Sequence, residues 1–283
     1  MSALSSRREI ERIASAALAE DGKLDITSAL TIPSRIQAGA IIEYRSGGVL
    51  SGLVYAEEVA RSCGCVIEWS AAESDSVFPG TALGLVQGDL ADILRAERPL
   101  LNLVQRASGI ATLTRAFVDA VQATGARILH TRKTAPGLRS LDIAAVLAGG
   151  GQAHRADLSH QVMVKDNHWR ALAREGAGLR QALAEARKRG VTALYVEVES
   201  LEQLELACSA GATRLVVDNQ PPDTVRAWGQ LARDRSHGIE VEATGGITLT
   251  NVRAYAEAGA DFISIGALTH SVTAADIAVE VKI

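Results

Sequence analysis

The chain has 283 residues, 47% hydrophobic and 22% charged, a globular composition with ample material for a core. With 29 Lys and Arg against 33 Asp and Glu its formal charge is −4, so it has no bulk attraction for nucleic acid or acidic membranes, and any anion site must be built locally. Cys63, Cys65 and Cys208 form no metal-ligand spacing, and no apolar run approaches the roughly 18 residues of a membrane span. The first 20 residues lack a signal-peptide core, and no basic stripe with interleaved aromatics is present. The expectation is a reduced, cytoplasmic protein with no membrane or nucleic-acid partner.

A first helix is expected over residues 6–20. Ser6 and Glu9 fit a capping box, and Ile10, Ile13, Ala14, Ala17 and Leu18 share a helical face. Asp21-Gly22 stops it, and Asp25-Ile26-Thr27-Ser28 reads as a polar loop. Strands are expected over 38–44, 49–55, 66–69 and 82–87, with a helix over 56–62, separated by glycine and proline turns. These make a small α+β domain over residues 1–104. Pro99 suits the first turn of a helix, so Glu97-Arg98-Pro99 is read as the start of one that runs to about Ala123. A cation beside a helix N-terminus is not favoured by the dipole, which leaves Arg98 either solvated or reserved for a partner or ligand.

From Arg127 the rhythm becomes strand, loop, helix. Strands are expected over 127–129, 161–164, 194–199, 214–218, 239–243 and 262–265. Helices are expected over 171–189, 201–210, 224–233 and 249–258, with Gly190, Gly211 and Gly259 at their ends. Such alternation predicts a parallel α/β arrangement, here a barrel over residues 105–271. In a barrel, the C-terminal ends of strands carry the chemistry. Those ends hold Glu197 and Glu199, Asp218-Asn219, Glu240, Glu242 with Thr244-Gly245-Gly246, and Gly266-Ala267. A period of two puts each glutamate pair on one face, directed at the barrel mouth.

Buried carboxylates need partners. The natural counterparts are Arg132, Lys133, Arg155 and Lys165, from a stretch rich in cations, glycine and proline between His130 and His168. A purely structural ion network is the alternative. Thr244-Gly245-Gly246 before a helix near Leu249, and Gly266-Ala267 after the last strand, resemble a phosphate cradle. Glu197 and Asp218 suit Mg²⁺ bridging a diphosphate.

Several motifs then follow in register: Asp25-Ile26-Thr27-Ser28, Glu97-Arg98, Ser108-Gly109-Ile110-Ala111-Thr112, Thr131-Arg132-Lys133-Thr134, Pro136-Gly137-Leu138-Arg139, His154-Arg155, Lys165-Asp166-Asn167-His168, Glu197-Val198-Glu199, Asp218-Asn219, Thr244-Gly245-Gly246 and Gly266-Ala267-Leu268-Thr269-His270-Ser271. Through them almost the whole chain resembles the quinolinate phosphoribosyltransferases, also called nicotinate-nucleotide pyrophosphorylases (carboxylating). The resemblance implies an N-terminal α/β sandwich domain, joined by the C-terminal tail 272–283, and an incomplete α/β barrel of the type II phosphoribosyltransferase kind. It implies transfer of phosphoribosyl from phosphoribosyl pyrophosphate (PRPP) to quinolinate with decarboxylation, for NAD biosynthesis. Catalytic roles would fall to Lys133, Glu197 and Asp218. Thr131, Arg132, Lys133, His154, Arg155 and Lys165 would grip the dicarboxylate and adjacent charges, with Arg98 supplied by the neighbouring subunit of a homodimer or of a hexamer. Thr244, Gly245, Gly246, Ile265, Gly266, Ala267 and His270 would line the 5′-phosphate end. Mg²⁺ would act with PRPP at Glu197 and Asp218, and no organic cofactor is implied.

Ala153 stands where the family usually has asparagine, Ala156 where glycine is common, and Thr244 where serine is usual. Two other readings stay open at this point. One is a paralogous enzyme of the molybdenum-transport type acting on another substrate; the other is a non-catalytic barrel that binds a phosphorylated metabolite. A pure phosphate binder has no need of Glu197 and Asp218.

Overall fold

The computed structural model describes residues 6–33, 35–159, 161–175 and 178–282. Helix α1 (Arg7–Glu20) starts at Ser6, whose hydroxyl accepts the Glu9 N–H, and it buries Ile10, Ile13 and Ala14. The Glu9 carboxylate takes Arg12. Residues 25–28 are not a loop. Asp25 accepts the Ser28 N–H at 3.0 Å and caps α2 (Ile26–Thr31). Strands β1 (Gln37–Tyr44) and β2 (Gly48–Val49) follow. The strand expected over 49–55 stops at Val49. Gly52 turns the chain at φ +94, and the Glu73 carboxylate takes the N–H groups of Gly52 and Leu53, which starts α3 (Leu53–Ser62).

Strands β3 (Val66–Trp69), β4 (Ser76–Val77) and β5 (Thr81–Asp89) lead into α4 (Leu90–Ala120). This helix is the largest departure from expectation. Pro99 lies in its interior rather than its first turn, where the ring forfeits one backbone hydrogen bond. Arg98 is therefore mid-helix, and the dipole gives no account of it. It is exposed and makes no ion pair among the described residues.

Beyond α4 come β6 (Arg127–Leu129), α5 (Arg139–Ala148), β7 (Val162–Val164), α6 (Asp166–Glu175), α7 (Leu179–Lys188), β8 (Leu194–Val198) and α8 (Leu201–Ala210). The chain ends with β9 (Arg214–Asp218), α9 (Pro222–Arg235), β10 (Glu240–Thr244), α10 (Val252–Glu257), β11 (Phe262–Ser264), α11 (Ala267–His270) and β12 (Ile277–Lys282). Helix α5 sits inside the cation-rich stretch between His130 and His168, where no helix is expected. The single helix expected over 171–189 crosses residues 176 and 177, which lie outside the described residues; α6 and α7 stand on either side.

The chain divides into two units, one of Met1–Arg115, Lys133–Gly150 and Ala267–Ile283, the other of Ala116–Arg132 and Gly151–Gly266. The first carries an antiparallel sheet in the order β12-β1-β5-β3, with β12 paired to β1 from Gly39↔Lys282 to Tyr44↔Ile277. Tyr44, Tyr55, Ile13 and Ile42 are among its fully buried side chains.

The second unit is a six-stranded parallel sheet in the order β6-β11-β10-β9-β8-β7, with no pairing of β6 to β7 among the described residues. It has the parallel alternation that the sequence predicts and the open edge of an incomplete barrel. All five residues of β8 are buried, as strands covered on both faces require.

Candidate active site

Register builds the site. Leu129, Ser264, Thr244 and Asp218 align across β6, β11, β10 and β9. The residues after them leave the sheet together at its C-terminal edge, where open α/β sheets bind ligands.

Two cations gather there, Arg132 and Arg155, with few hydrogen-bond partners among the described residues. The Arg132 Nε is buried and has no hydrogen-bond acceptor among the described residues. Burial holds the Arg155 pKa below the usual arginine value. The Arg132 charge pushes the same way, opposed by Glu242 and Glu197. Neighbouring guanidiniums partly withdrawn from water call for an anion with several oxygens. Thr131, just before Arg132, offers its carbonyl to His130 Nδ1 at 3.2 Å.

His154 is held by its neighbours. Its Nδ1 accepts the Arg155 N–H at 2.7 Å, so Nε2 carries the proton and donates to Glu242 Oε2 at 3.3 Å. Both ring nitrogens are engaged within the protein. The His154 N–H in turn donates to Nε2 of the fully buried His130 at 2.9 Å.

On the acidic side, Lys165 pairs with Glu197, which is 6% exposed. The Lys165 motif explains this placement: its N–H donates to His168 Nδ1 at 3.0 Å, and the Trp169 indole donates to the Glu197 carbonyl at 2.8 Å. Burial pushes the Asp218 pKa up, Glu197 adds to this, and Lys165 opposes it. Glu199 lies past the end of β8 and is exposed. No group of three or more His, Cys, Asp or Glu side chains able to hold a metal occurs among the described residues. Two carboxylates beside each other fit an ion that draws its remaining ligands from phosphate and water, as Mg²⁺ does.

Glu240 and Glu242 do not take the expected cations. Their partner is Arg214, at the start of β9, which donates to Glu240 at 2.9 and 2.7 Å and to Glu242 at 3.0 Å. It lies 3.7 Å from the Phe262 ring centroid and 4.4 Å from that of Tyr195. Burial alone would raise the Glu242 pKa. Bonds from His154 and Ser264, with the Arg214 charge, outweigh it and hold the pKa below the usual value. The signal for Arg214 was a register, Glu240↔Arg214, which one strand read by itself does not display.

The glycine turn is stereochemically required. Gly245 has φ +85, and a Cβ there would stand 2.2 Å from Asn219 Oδ1; Gly246 has φ +61 with open space above it. The N–H groups of Gly246 and Ile247 find no acceptor among the described residues. The helix expected near Leu249 starts only at Val252, with Thr248 N–H bound to Asn251 Oδ1. Any cradle here rests on loop amides rather than a helix terminus. Ile265 is buried and donates its N–H to the Leu129 carbonyl, which sets Gly266 at the same edge.

Arg98, Lys133, Ala267 and His270 belong to the first unit. Lys133 is exposed and its carbonyl accepts from Thr269. Ala267 opens α11, and the exposed His270 places Nδ1 2.6 Å from Ser271 Oγ.

A parallel sheet whose strand ends gather under-partnered guanidiniums, carboxylates and a glycine turn defines an α/β enzyme of highly anionic substrates. Family models for the N-terminal and C-terminal domains of quinolinate phosphoribosyl transferase match residues 25–108 and 110–280. The chain is 38% identical over 96% of its length, and 82% of the relative's, to quinolinate phosphoribosyltransferase [decarboxylating] 1 of Nicotiana glauca. It is 41% identical over 75% of its length, and 71% of the relative's, to a probable nicotinate-nucleotide pyrophosphorylase [carboxylating] of Bacillus subtilis. The solved structure of the nicotinate-nucleotide pyrophosphorylase from Francisella tularensis superposes with a TM-score of 0.90 at 31% identity, covering 98% of both chains. The chain belongs to the quinolinate phosphoribosyl transferase family.

Proposed function

We propose that the protein transfers the phosphoribosyl group of PRPP to quinolinate and decarboxylates the product. The pyridine nitrogen attacks C1 of the ribose, pyrophosphate leaves with the bonding pair, and the carboxylate beside the nitrogen departs as CO₂. The carbanion left at that carbon takes a proton, giving nicotinate mononucleotide. The observation that carries this reading is the two-sign site: Arg132 and Arg155 under-partnered beside Glu197 and Asp218. A dicarboxylate supplies the oxygens that the guanidiniums lack. Positive charge growing on the ribose is stabilised by Glu197 and Asp218.

His154 orients Arg155 by accepting its N–H, and Lys165 both binds the acid and holds Glu197. Lys133 stabilises the carbanion at the decarboxylated carbon. Loop amides at Gly245 and Gly246, with Ile265, Gly266, Ala267 and His270, take the 5′-phosphate. Mg²⁺ at Glu197 and Asp218, when bound, neutralises charge on the diphosphate. Arg98, exposed and without an ion pair among the described residues, serves the site of a second copy, so the working form is a homodimer or an assembly of homodimers. Among the described residues no helix is long and apolar enough to cross a membrane. The names of the relatives favour quinolinate over the substrate of a molybdenum-transport paralogue.

Incubation with PRPP, Mg²⁺ and either quinolinate or nicotinate tests the reading. Nicotinate mononucleotide and CO₂ from quinolinate are expected. Product from nicotinate alone would overturn it.

A further inference from the structure

We infer that Arg106 and Asp142 are positioning residues that hold the backbone at Lys133 and just after it; this rests on the role proposed for that lysine. Neither residue has a place in the substrate chemistry, yet together they close a circuit around it. Asp142 is fully buried. Its two oxygens accept Nε and Nη2 of Arg106, each at 2.8 Å, and Oδ2 also accepts the Ala135 N–H at 3.0 Å. The same Nη2 donates to the Thr269 carbonyl at 2.9 Å. Thr269, 1% exposed, returns its hydroxyl to the Lys133 carbonyl at 2.8 Å. The backbone is thus held at the Lys133 carbonyl through Thr269 and two residues later at Ala135, and the Arg106–Asp142 pair joins the two ties.

A buried ion pair can be a stability feature only, and its net contribution is then small because desolvation offsets the attraction. What separates this pair from that case is where its remaining bonds go. They end on the Ala135 N–H, two residues after one cation, and on the Thr269 carbonyl of α11, a helix that opens with the phosphate-end residue Ala267. The planar fork of arginine serves three acceptors at once, which a lysine ammonium on a flexible stem does not reproduce.

The test uses the full-length protein with quinolinate, PRPP and Mg²⁺. Thr269→Val keeps the side-chain shape and removes the donor; Thr269→Ser keeps the donor. Arg106→Lys tests the fork. At saturating substrates and a temperature where every variant is folded, kcat of Thr269→Val is expected to fall roughly tenfold to a hundredfold, the scale of a slightly misplaced catalytic group. Thr269→Ser should stay within about threefold of the parent, and Arg106→Lys should follow the valine variant. An unchanged kcat in Thr269→Val, with or without a lower melting temperature, would overturn the inference, as would an equal loss in Thr269→Ser. Absence of any product from the parent protein would instead count against the proposed activity.

Discussion

Replacing Glu242 with Gln removes one charge from a buried cluster while keeping its shape. The carboxylate, 2% exposed, accepts from Arg214, His154 and Ser264. An amide keeps one acceptor oxygen and turns an NH₂ toward groups that already donate, so at least one donor is left without a partner. Breaking a buried pair outright costs about 3–5 kcal/mol because a lone charge remains. Arg214 is not left alone here, since Glu240 still holds it at 2.9 and 2.7 Å. With one or two donors stranded at about 1–3 kcal/mol each, the expected loss is about 2–3 kcal/mol.

Urea unfolding of parent and variant at pH 7 measures it. The pH dependence adds a second check. A carboxyl whose pKa is lower folded than unfolded contributes stability above its unfolded value and loses it as pH falls through the folded value. The ordinary value is 4.5 and the Glu242 value lies below it. The gap between parent and variant should therefore be full at neutral pH and narrow on acidification below 4.5. A loss under about 0.5 kcal/mol, the size of an ordinary surface change, would refute the reasoning. So would a gap that stays constant into acid.

Arg155→Ala should raise the KM for quinolinate about tenfold to a hundredfold, the worth of a charge-assisted pair, with a smaller effect on PRPP; steady-state kinetics with each substrate varied decides it. Lys133→Ala should still bind both substrates but decarboxylate the dicarboxylic nucleotide slowly, and a normal single-turnover CO₂ release would exclude the lysine from that step. In Gly245→Ala the strained φ and the clash with Asn219 should cost about 1–3 kcal/mol and weaken PRPP binding, read by melting temperature and KM. Arg98→Ala should be inactive alone, yet exchanging its subunits with those of Arg155→Ala should create sites with the parent KM for quinolinate; mixtures that show only the raised KM of Arg155→Ala would show that the site is not shared between copies.

The parallel sheet was legible because its strands and helices keep their periods between recognisable stops. The ends of elements were harder. Pro99 marks a helix start in most contexts, but here the helix extends back to Leu90, with Leu90, Ile93 and Ala96 buried ahead of the proline. Residues 50–55 have strand-forming side chains; a carboxylate distant in sequence, Glu73, caps the backbone there and makes a helix. Of the site, the basic and acidic residues could be named, and Lys165 does pair with one of the carboxylates, Glu197; the pairing of Glu240 and Glu242 could not be read. Glu240 and Glu242 turn to Arg214 because strand register sets that residue beside them. The sequence likewise does not show that the His154 ring accepts the Arg155 N–H. Pairings of this kind depend on which strands are neighbours, and that is settled by tertiary packing.

The central claim is that this chain breaks the bond to the carboxylate next to the ring nitrogen only after joining that nitrogen to ribose. Quinolinate labelled in that carboxyl group tests it directly, with released CO₂ and pyrophosphate followed together. The account predicts equal amounts of both, and no labelled CO₂ when PRPP is omitted. Label retained in the nucleotide product, or CO₂ released without PRPP, would contradict it.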